Sequence, residues 1–182
     1  MAMKLMVRTS LALCLFAAAA VVPAARHAGA QSAAAPVVLR AADAGPVMPA
    51  TVFFKGQSAP IQARNSGGLK TAEGAYVLAA LVDTSGYSSQ VQEKYQAYLI
   101  TERALTIDGH RLEPGAYGVG FIAEDTFLVM DLGGHDLFKA HSLKDASLRR
   151  PTPLQVMPAG GGEYRLYAGR TYVGFSLAAS VR

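Results

Sequence analysis

Cysteine and tryptophan are almost missing from this chain. Its only cysteine, Cys14, lies within an apolar amino-terminal run, and it has no tryptophan. Residues 31–182 therefore hold no disulfide, no thiolate nucleophile and no cysteine ligand for a metal. The lack of tryptophan also argues against an aromatic sugar platform built on that residue.

Long hydrophobic runs are scarce as well, and the one exception predicts export. Lys4 and Arg8 precede an uncharged apolar run over residues 11–22, and residues 28–30 read Ala-Gly-Ala. A basic start, an apolar stretch and a small-x-small site form the pattern of a secretory signal. We expect residues 1–30 to be a signal peptide and the remaining chain to be periplasmic or extracellular.

Two other readings of this amino-terminal segment are weaker. Leu13 stands before Cys14, where a lipid-attachment motif needs a small residue. The apolar run is shorter than the roughly 20 residues that span a bilayer, so retention as an uncleaved anchor is the second choice. No later segment has the length and hydropathy of a membrane-spanning helix.

Without the predicted signal, the chain carries almost no excess of positive charge. The formal charge of the whole chain is +4, but Lys4, Arg8 and Arg26 belong to the signal, which leaves 14 basic against 13 acidic side chains. Nucleic acids and anionic lipid surfaces require concentrated positive charge, so we expect no nucleic-acid partner. No motif predicts catalytic residues or a cofactor.

The chain after residue 30 divides into a lead-in and one domain. Residues 31–50 are rich in Ala and Pro and predict a flexible lead-in with a short extended piece at 37–39. Residues 51–182 predict a single domain, because short apolar runs alternate with turn residues. The predicted strands are 51–55, 61–65, 75–82, 96–102, 105–107, 116–123, 127–132, 137–140, 153–157, 164–167 and 171–177.

Tight turns between these strands set the fold class. Asp108-Gly109 is the best two-residue hairpin signal, because glycine accepts the positive φ of such a turn. Short strands joined by tight turns favour antiparallel pairing, since parallel strands need long crossovers. We expect an all-β fold, an antiparallel β-sandwich, with a small closed β-barrel as the alternative. One short helix is predicted over residues 89–94, where Ser89 and Gln92 are spaced like a capping box.

One segment resembles known architecture. Residues 105–132 contain the pattern G-x-x-L-x-P-G-x-Y, formed by Gly109, Leu112, Pro114, Gly115 and Tyr117. It resembles the turn-and-strand unit of prealbumin-like and carboxypeptidase-regulatory-like sandwich domains, and a hairpin of uncharacterised bacterial secreted β-domain proteins. The resemblance implies a β-sandwich and brings no catalytic residues with it.

Two groups of residues are candidates for binding. Asp131, His135 and Asp136 surround a Gly-Gly turn, and imidazole with carboxylates is a suitable ligand set for a metal if the loop folds back. A solvated hairpin tip explains the same residues. A second candidate is a tyrosine-rich sheet face, since tyrosine combines apolar area with a hydroxyl. Its members are Tyr95, Tyr98, Tyr164 and Tyr167, for which packing at the edge of the core is the alternative.

Three functions remain open from the sequence. The leading hypothesis is an exported, non-enzymatic β-sandwich domain that binds or scaffolds at the cell envelope, with a protein or glycan as partner. The second is a metal-assisted hydrolase that uses His135 with Asp131 and Asp136. The third is a small barrel that carries an apolar ligand, against which the missing signature tryptophan of lipocalin-like and avidin-like barrels counts.

Overall fold

The computed structural model describes residues 35–179, which form fourteen strands and two short helices. The predicted signal peptide, residues 1–30, lies outside the described residues, as do residues 31–34 of the lead-in. The helices are α1 (Ala41–Ala44) and α2 (Ser89–Lys94). The strands are β1 (Val37–Leu39), β2 (Thr51–Phe54), β3 (Gln57–Lys70), β4 (Tyr76–Val82), β5 (Ala97–Thr101), β6 (Leu105–Ile107), β7 (His110–Leu112), β8 (Gly115–Ile122), β9 (Thr126–Met130), β10 (Asp136–His141), β11 (Leu143–Lys144), β12 (Gln155–Gly160), β13 (Glu163–Ala168) and β14 (Thr171–Leu177).

These strands form two antiparallel sheets, which confirms the predicted all-β sandwich. The large sheet has the order β1-β3-β4-β5-β8-β9-β10, with β2 paired to β3. The small sheet has the order β12-β13-β14-β6-β7, with β11 paired to β14. Within residues 35–179, neither sheet closes on itself, because β1 and β10 end the large sheet on opposite sides. The alternative of a closed barrel is therefore wrong.

The core lies between the two sheets, and strand alternation builds it. On β4, Val77 and Ala79 face the small sheet, where they meet Leu166 and Val173. The intervening residues Leu78 and Ala80 face the opposite way and pack under α1. The large sheet is thus buried on both faces, because α1, the β2–β3 hairpin and α2 cover the face that points away from the small sheet.

A glycine lets α2 lie directly on the large sheet. A Cβ atom added at Gly120 of β8 would lie 2.0 Å from the carbonyl oxygen of Lys94, at the end of α2. A side chain there would collide with backbone, which cannot rotate away. The helix itself spans the predicted residues 89–94. Its N-cap is Ser88, without a side-chain cap, and the Gln92 amide donates instead to the Tyr87 carbonyl at 2.7 Å, so the predicted capping box is wrong.

Two further predictions about local structure need correction. The described part of the lead-in belongs to the domain, since β1 pairs with β3 and Ala44 of α1 is fully buried. The predicted strand 61–65 is too short, because β3 continues through Gly67 and Gly68 to Lys70. At Gly67, a Cβ atom would approach the Val156 nitrogen to 3.1 Å, so the missing side chain lets β12 pack closely against β3.

The predicted hairpin turn at Asp108-Gly109 is confirmed. Ile107 and His110 are paired across it, and the turn residues have φ values of 48° and 78°. Two successive positive φ values are typical of the tight turn that matches the twist of a hairpin. Among the described residues, no helix has both the length and the apolar character needed to span a membrane.

Candidate functional site

The loop between β9 and β10 brings two of the three predicted metal ligands together. The His135 backbone N–H donates to Asp131 Oδ1 at 2.9 Å, and the His135 ring Nδ1 lies 2.9 Å from Asp131 Oδ2. The backbone N–H of His135, and then its ring, hold the pKa of the Asp131 carboxyl below its usual value. The His135 side chain is 81% exposed, so this pair closes a solvated loop.

Asp136 does not join that pair. Its carboxylate lies 3.0 Å from Nζ of Lys94, at the end of α2, and this ion pair directs it toward the helix. Throughout residues 35–179, no three His, Cys, Asp or Glu side chains converge as metal ligands would. Of the predicted set Asp131, His135 and Asp136, the structure thus brings Asp131 and His135 together and pairs Asp136 with Lys94 instead.

The four predicted binding tyrosines are buried and do not form an exposed platform. Tyr95 and Tyr98 are 0% and 5% exposed, because the β2–β3 hairpin and α2 cover them. Tyr164 is 5% exposed and points into the core between the sheets. Tyr167 is 2% exposed and faces outward. It nevertheless lies beneath the segment after β11, whose Asp145 accepts a hydrogen bond from its hydroxyl.

Tyr95 lies at the centre of an aromatic cluster on the covered face of the large sheet. Its ring stacks on Phe54 with centroids 3.9 Å apart and meets Tyr87 edge-on at 5.5 Å. Its hydroxyl has no hydrogen-bond partner among the described residues, and burial raises its pKa. The hydroxyl of Tyr98, by contrast, reaches the Phe53 carbonyl at 3.5 Å. This cluster stabilises the fold and offers no surface to a ligand.

The space between the sheets is filled. The remaining cavity has a volume of about 10 Å³ and is lined by apolar side chains such as Val77, Leu99 and Phe175. That is about the room one water needs, whereas drug-sized ligands occupy pockets of roughly 300–1,000 Å³. This cavity between the sheets is therefore too small for a drug-sized apolar ligand.

A larger concave surface lies on the outer face of the small sheet. On β14, Val173 and Phe175 point into the core, so Gly174 and Ser176 point outward. A groove of about 470 Å³ runs over this face. We call it the outer groove, and define it by Thr106, His141, Glu163, Arg165, Gly174 and Ser176.

Strand register arranges the groove in rows across the sheet. Ser176 pairs with Glu163 on one side and with Thr106 on the other, so these three side chains form one row. Gly174 pairs with Arg165 in the next row. Neighbouring strands lie about 4.8 Å apart, so each row places its side chains within reach of one small ligand.

Arg165 is held in place by its neighbours. Its guanidinium carbon lies 4.4 Å from the centre of the Tyr172 ring, and its Nη1 donates to the Tyr167 hydroxyl at 3.3 Å. The Asp145 carboxylate lies 3.9 Å from the same nitrogen. Tyr167 and Asp145 thus orient the guanidinium, which leans toward Tyr172 and leaves the space over Gly174 open.

Gly174 creates the depth of the groove. A Cβ atom added there would meet no atom within 4 Å, and its φ is not positive, so neither crowding nor backbone conformation requires glycine. Glycine in a strand interior costs stability and often marks the close approach of a ligand or another backbone. We therefore read Gly174 as the floor of a site.

Several polar groups face the groove without a protein partner. The side chains of Glu163, Ser176, Thr106 and His141 form no hydrogen bond or ion pair with any other residue in the range 35–179. They provide acceptors and donors together: one carboxylate, two hydroxyls and one imidazole. This arrangement suits recognition by hydrogen bonds.

Sequence reasoning missed these residues. Arg165, Gly174 and Glu163 belong to no motif with a catalytic spacing. The signal that points to them is the alternation in Thr171–Leu177, where a glycine occupies an outward position of an otherwise filled strand. No protein-family model, no curated protein and no solved structure matches this chain.

Proposed function

We propose that this protein is an exported binding domain that acts at the cell envelope, in the periplasm or outside the cell. Its ligand lies in the outer groove and is held there without being chemically transformed. The amino-terminal pattern of basic, apolar and small residues supports export. The relation to prealbumin-like and carboxypeptidase-regulatory-like sandwich domains, based on residues 105–132, is part of the proposal and concerns architecture only.

The observation that carries the binding role is the open position over Gly174. The outer face of the small sheet carries a groove of about 470 Å³, a volume within the range of ligand sites, and no atom of residues 35–179 occupies the position over Gly174. Arg165 is fixed beside this groove before any ligand arrives. A preoriented side chain lowers the entropy cost of binding.

Export is tested by recovering the protein from the cell that makes it. We expect the chain in the periplasmic or extracellular fraction, with Gln31 as its first residue when the amino terminus is sequenced. Recovery from the cytoplasm with Met1 intact would contradict the proposal.

Binding is tested by filling the groove. Gly174→Leu introduces a side chain into space that holds no atom within 4 Å of the new Cβ, so the fold should tolerate it. Gly86→Leu is the matched control, because Gly86 also has open space around it and lies outside the groove. A panel of immobilised oligosaccharides and peptides is offered to the wild type and to both variants.

We expect at least one probe to bind the wild type and Gly86→Leu and to lose binding to Gly174→Leu. A probe that binds all three proteins equally would place the binding surface elsewhere. A panel in which no probe binds would contradict the binding function.

A further inference from the structure

The charges of the outer groove indicate the chemical class of its ligand. Building on the proposed function, we infer that the ligand carries a primary alkylammonium group, the group found at the end of a lysine side chain and of a free polyamine. Three features of the groove support this class: two carboxylates without a counterion, an arginine held away from them, and a row of oxygen acceptors beside Gly174.

The two carboxylates belong to Glu163 and Asp108. Asp108, in the β6–β7 turn, lines the groove together with Glu163, and the remaining charged side chain of the lining is Arg165. Within residues 35–179, neither carboxylate forms an ion pair with a lysine, arginine or histidine. Asp108 accepts a hydrogen bond from a neutral group, the His141 backbone N–H, at 2.8 Å. Both negative charges therefore remain at the surface of the groove.

Arg165 is close to Glu163 in the strand but is directed away from it. The two residues lie two positions apart on β13, so they share the outer face about 7 Å apart. The Arg165 guanidinium lies over the Tyr172 ring and donates to the Tyr167 hydroxyl. Tyr167 and its cross-strand partner Tyr172 lie on the side of Arg165 away from Glu163. Asp145, 3.9 Å from the same guanidinium, balances its charge, so Glu163 keeps its own.

Two arginines on adjoining elements are paired as well. Arg111 of β7 forms an ion pair with Glu113 at 2.5 Å. Arg103 lines a neighbouring hollow together with Glu163, but its guanidinium is paired with Glu73 at 3.2 Å. The groove lining thus carries a net negative charge, which attracts cations and repels anions.

The row of Glu163, Ser176 and Thr106 presents acceptors that suit an ammonium group. Strand register places Ser176 between the other two, with neighbouring strands about 4.8 Å apart. A primary ammonium has three N–H donors and no acceptor. One carboxylate and two hydroxyls can accept all three hydrogen bonds, and the bond to the carboxylate is strengthened by charge. We therefore place the ammonium over Ser176, with Glu163 as its counterion.

Gly174 leaves room for the alkyl stem of such a ligand. It lies two positions before Ser176 on β14, on the same outward face. A Cβ atom there would meet no atom within 4 Å, so the floor beside the row is bare backbone on which methylene groups can pack. Asp108 follows Ile107, the cross-strand partner of Phe175, and lines the same floor. The far end of the stem therefore also lies beside a carboxylate.

The test uses short-chain probes that differ in their end groups. Cadaverine carries an ammonium at each end, pentanediol a terminal hydroxyl at each end and glutarate a carboxylate at each end. Acetyl-Ala-Lys-Ala-amide presents the same ammonium on a peptide, and acetyl-Ala-Gln-Ala-amide is its neutral counterpart.

Each probe is titrated into the purified protein while the backbone amide signals of Thr106, Gly174 and Ser176 are followed by NMR. The pH is held at about 8, where imidazole is uncharged, so that Asp108, Glu163 and Arg165 are the charged groups of the lining. The titrations are repeated at about 0.05 M and about 0.5 M salt, because salt screens charge attraction.

We expect cadaverine to shift these signals with an affinity that falls as salt rises, while pentanediol and glutarate leave them unchanged. Glu163→Gln should weaken the affinity for cadaverine about fivefold, as expected for an exposed charge pair. Glu93→Gln makes the same change at an exposed position outside the groove and should bind like the wild type. Binding of the lysine peptide as well would identify the source of the ammonium as a protein side chain, and binding of cadaverine alone would identify it as a free polyamine.

The outcomes separate this inference from the function on which it rests. If a neutral or anionic probe binds as tightly as its ammonium counterpart, or if Glu163→Gln binds cadaverine like the wild type, the inferred ligand class is wrong. The binding function then stands where Gly174→Leu loses the bound probe. If an ammonium probe binds and Gly174→Leu retains it, both are wrong. If no probe shifts the groove signals, the inferred ligand class is overturned, and the immobilised panel decides the function.

Discussion

The Phe54 ring lies directly over the backbone of Gly118, so close that a Cβ atom there would be 2.4 Å from Cε2 of the ring. Phe54 belongs to β2 and Gly118 to β8, so this contact joins the covering hairpin to the large sheet. On its other side, the ring stacks on Tyr95 at 3.9 Å. The ring is therefore confined between a strand and a second aromatic side chain.

Gly118→Ala is expected to destabilise the protein. The added methyl group requires Phe54 to move, and Tyr95 blocks that movement, so we expect a loss of about 1–3 kcal/mol in the free energy of unfolding. Urea denaturation followed by circular dichroism measures it. Gly86→Ala is the control, because a Cβ atom at Gly86 meets nothing within 4 Å. Equal stability of the two variants would show that the ring is free to shift.

The Tyr95 hydroxyl is expected to contribute nothing to stability. It is buried without a partner among the described residues, so Tyr95→Phe removes an unsatisfied polar group and should leave stability unchanged or higher by up to about 1 kcal/mol. Tyr87→Phe is the matched comparison, since the Tyr87 hydroxyl donates to the carbonyls of Phe54 and Gln57 at 3.1 Å and 3.2 Å. That variant should lose about 1 kcal/mol. Thermal unfolding of both proteins tests the ranking, and the reverse order would refute it.

The all-β, antiparallel fold could be predicted, because it depends on the alternation of residues within each strand and on the turn residues between strands. Strands β6 and β14 begin and end at the predicted residues, and the Asp108-Gly109 turn forms where expected. The short strands β7 and β11 were not predicted, because each contains a single apolar residue beside polar or charged ones. β3 was predicted too short for a different reason: its glycines adjoin the backbones of other strands, Gly67 that of β12 and Gly68 that of β4, and the sequence does not show these contacts.

The candidate site could not be predicted in the same way. The sequence contains eight tyrosines, but it does not show which of them become buried. For Tyr95 and Tyr98, burial depends on the β2–β3 hairpin and on α2, which cover one face of the large sheet. Asp136 was placed with His135 because they are adjacent in sequence, whereas its partner Lys94 is 42 positions away. Arg165 and Gly174 become neighbours only when β13 pairs with β14.

His135→Ala is expected to raise the pKa of Asp131 only part of the way to its ordinary value. The largest cause of the lowered pKa is the backbone N–H of residue 135, which alanine keeps, while the ring contribution is lost. Carboxyl titration by NMR measures the change. Asp83, whose pKa is lowered by the Ser85 hydroxyl and amide, is the internal control and should not move. A full return of Asp131 to its ordinary pKa would contradict the backbone assignment.

The lowered pKa of Asp131 also fixes the direction of its effect on stability. Because the folded-state pKa lies below the unfolded value of about 4, the ionised carboxylate stabilises the fold above that pH. This contribution is lost as the pH falls through the folded-state pKa. Asp131→Asn should therefore lower stability at pH near 7 and lose this disadvantage in strong acid, and unfolding curves at both pH values measure the difference.

Asp108 links the two sheets, and its removal is expected to loosen that link. Its Oδ2 accepts a hydrogen bond from the His141 backbone N–H at 2.8 Å, so the β6–β7 turn of the small sheet holds the end of β10 in the large sheet. Asp108→Gly removes the acceptor and suits the φ of 48° at this position, so the turn itself should persist. We expect the His141 amide to exchange with solvent deuterium faster than in the wild type, which native-state hydrogen exchange measures.

Asp125→Gly is the control, because it makes the same replacement at a φ of 49° and loses only an exposed contact with Lys144. Its His141 amide should exchange at the wild-type rate; faster exchange in both variants would mean that general loosening, and not the lost hydrogen bond, is responsible.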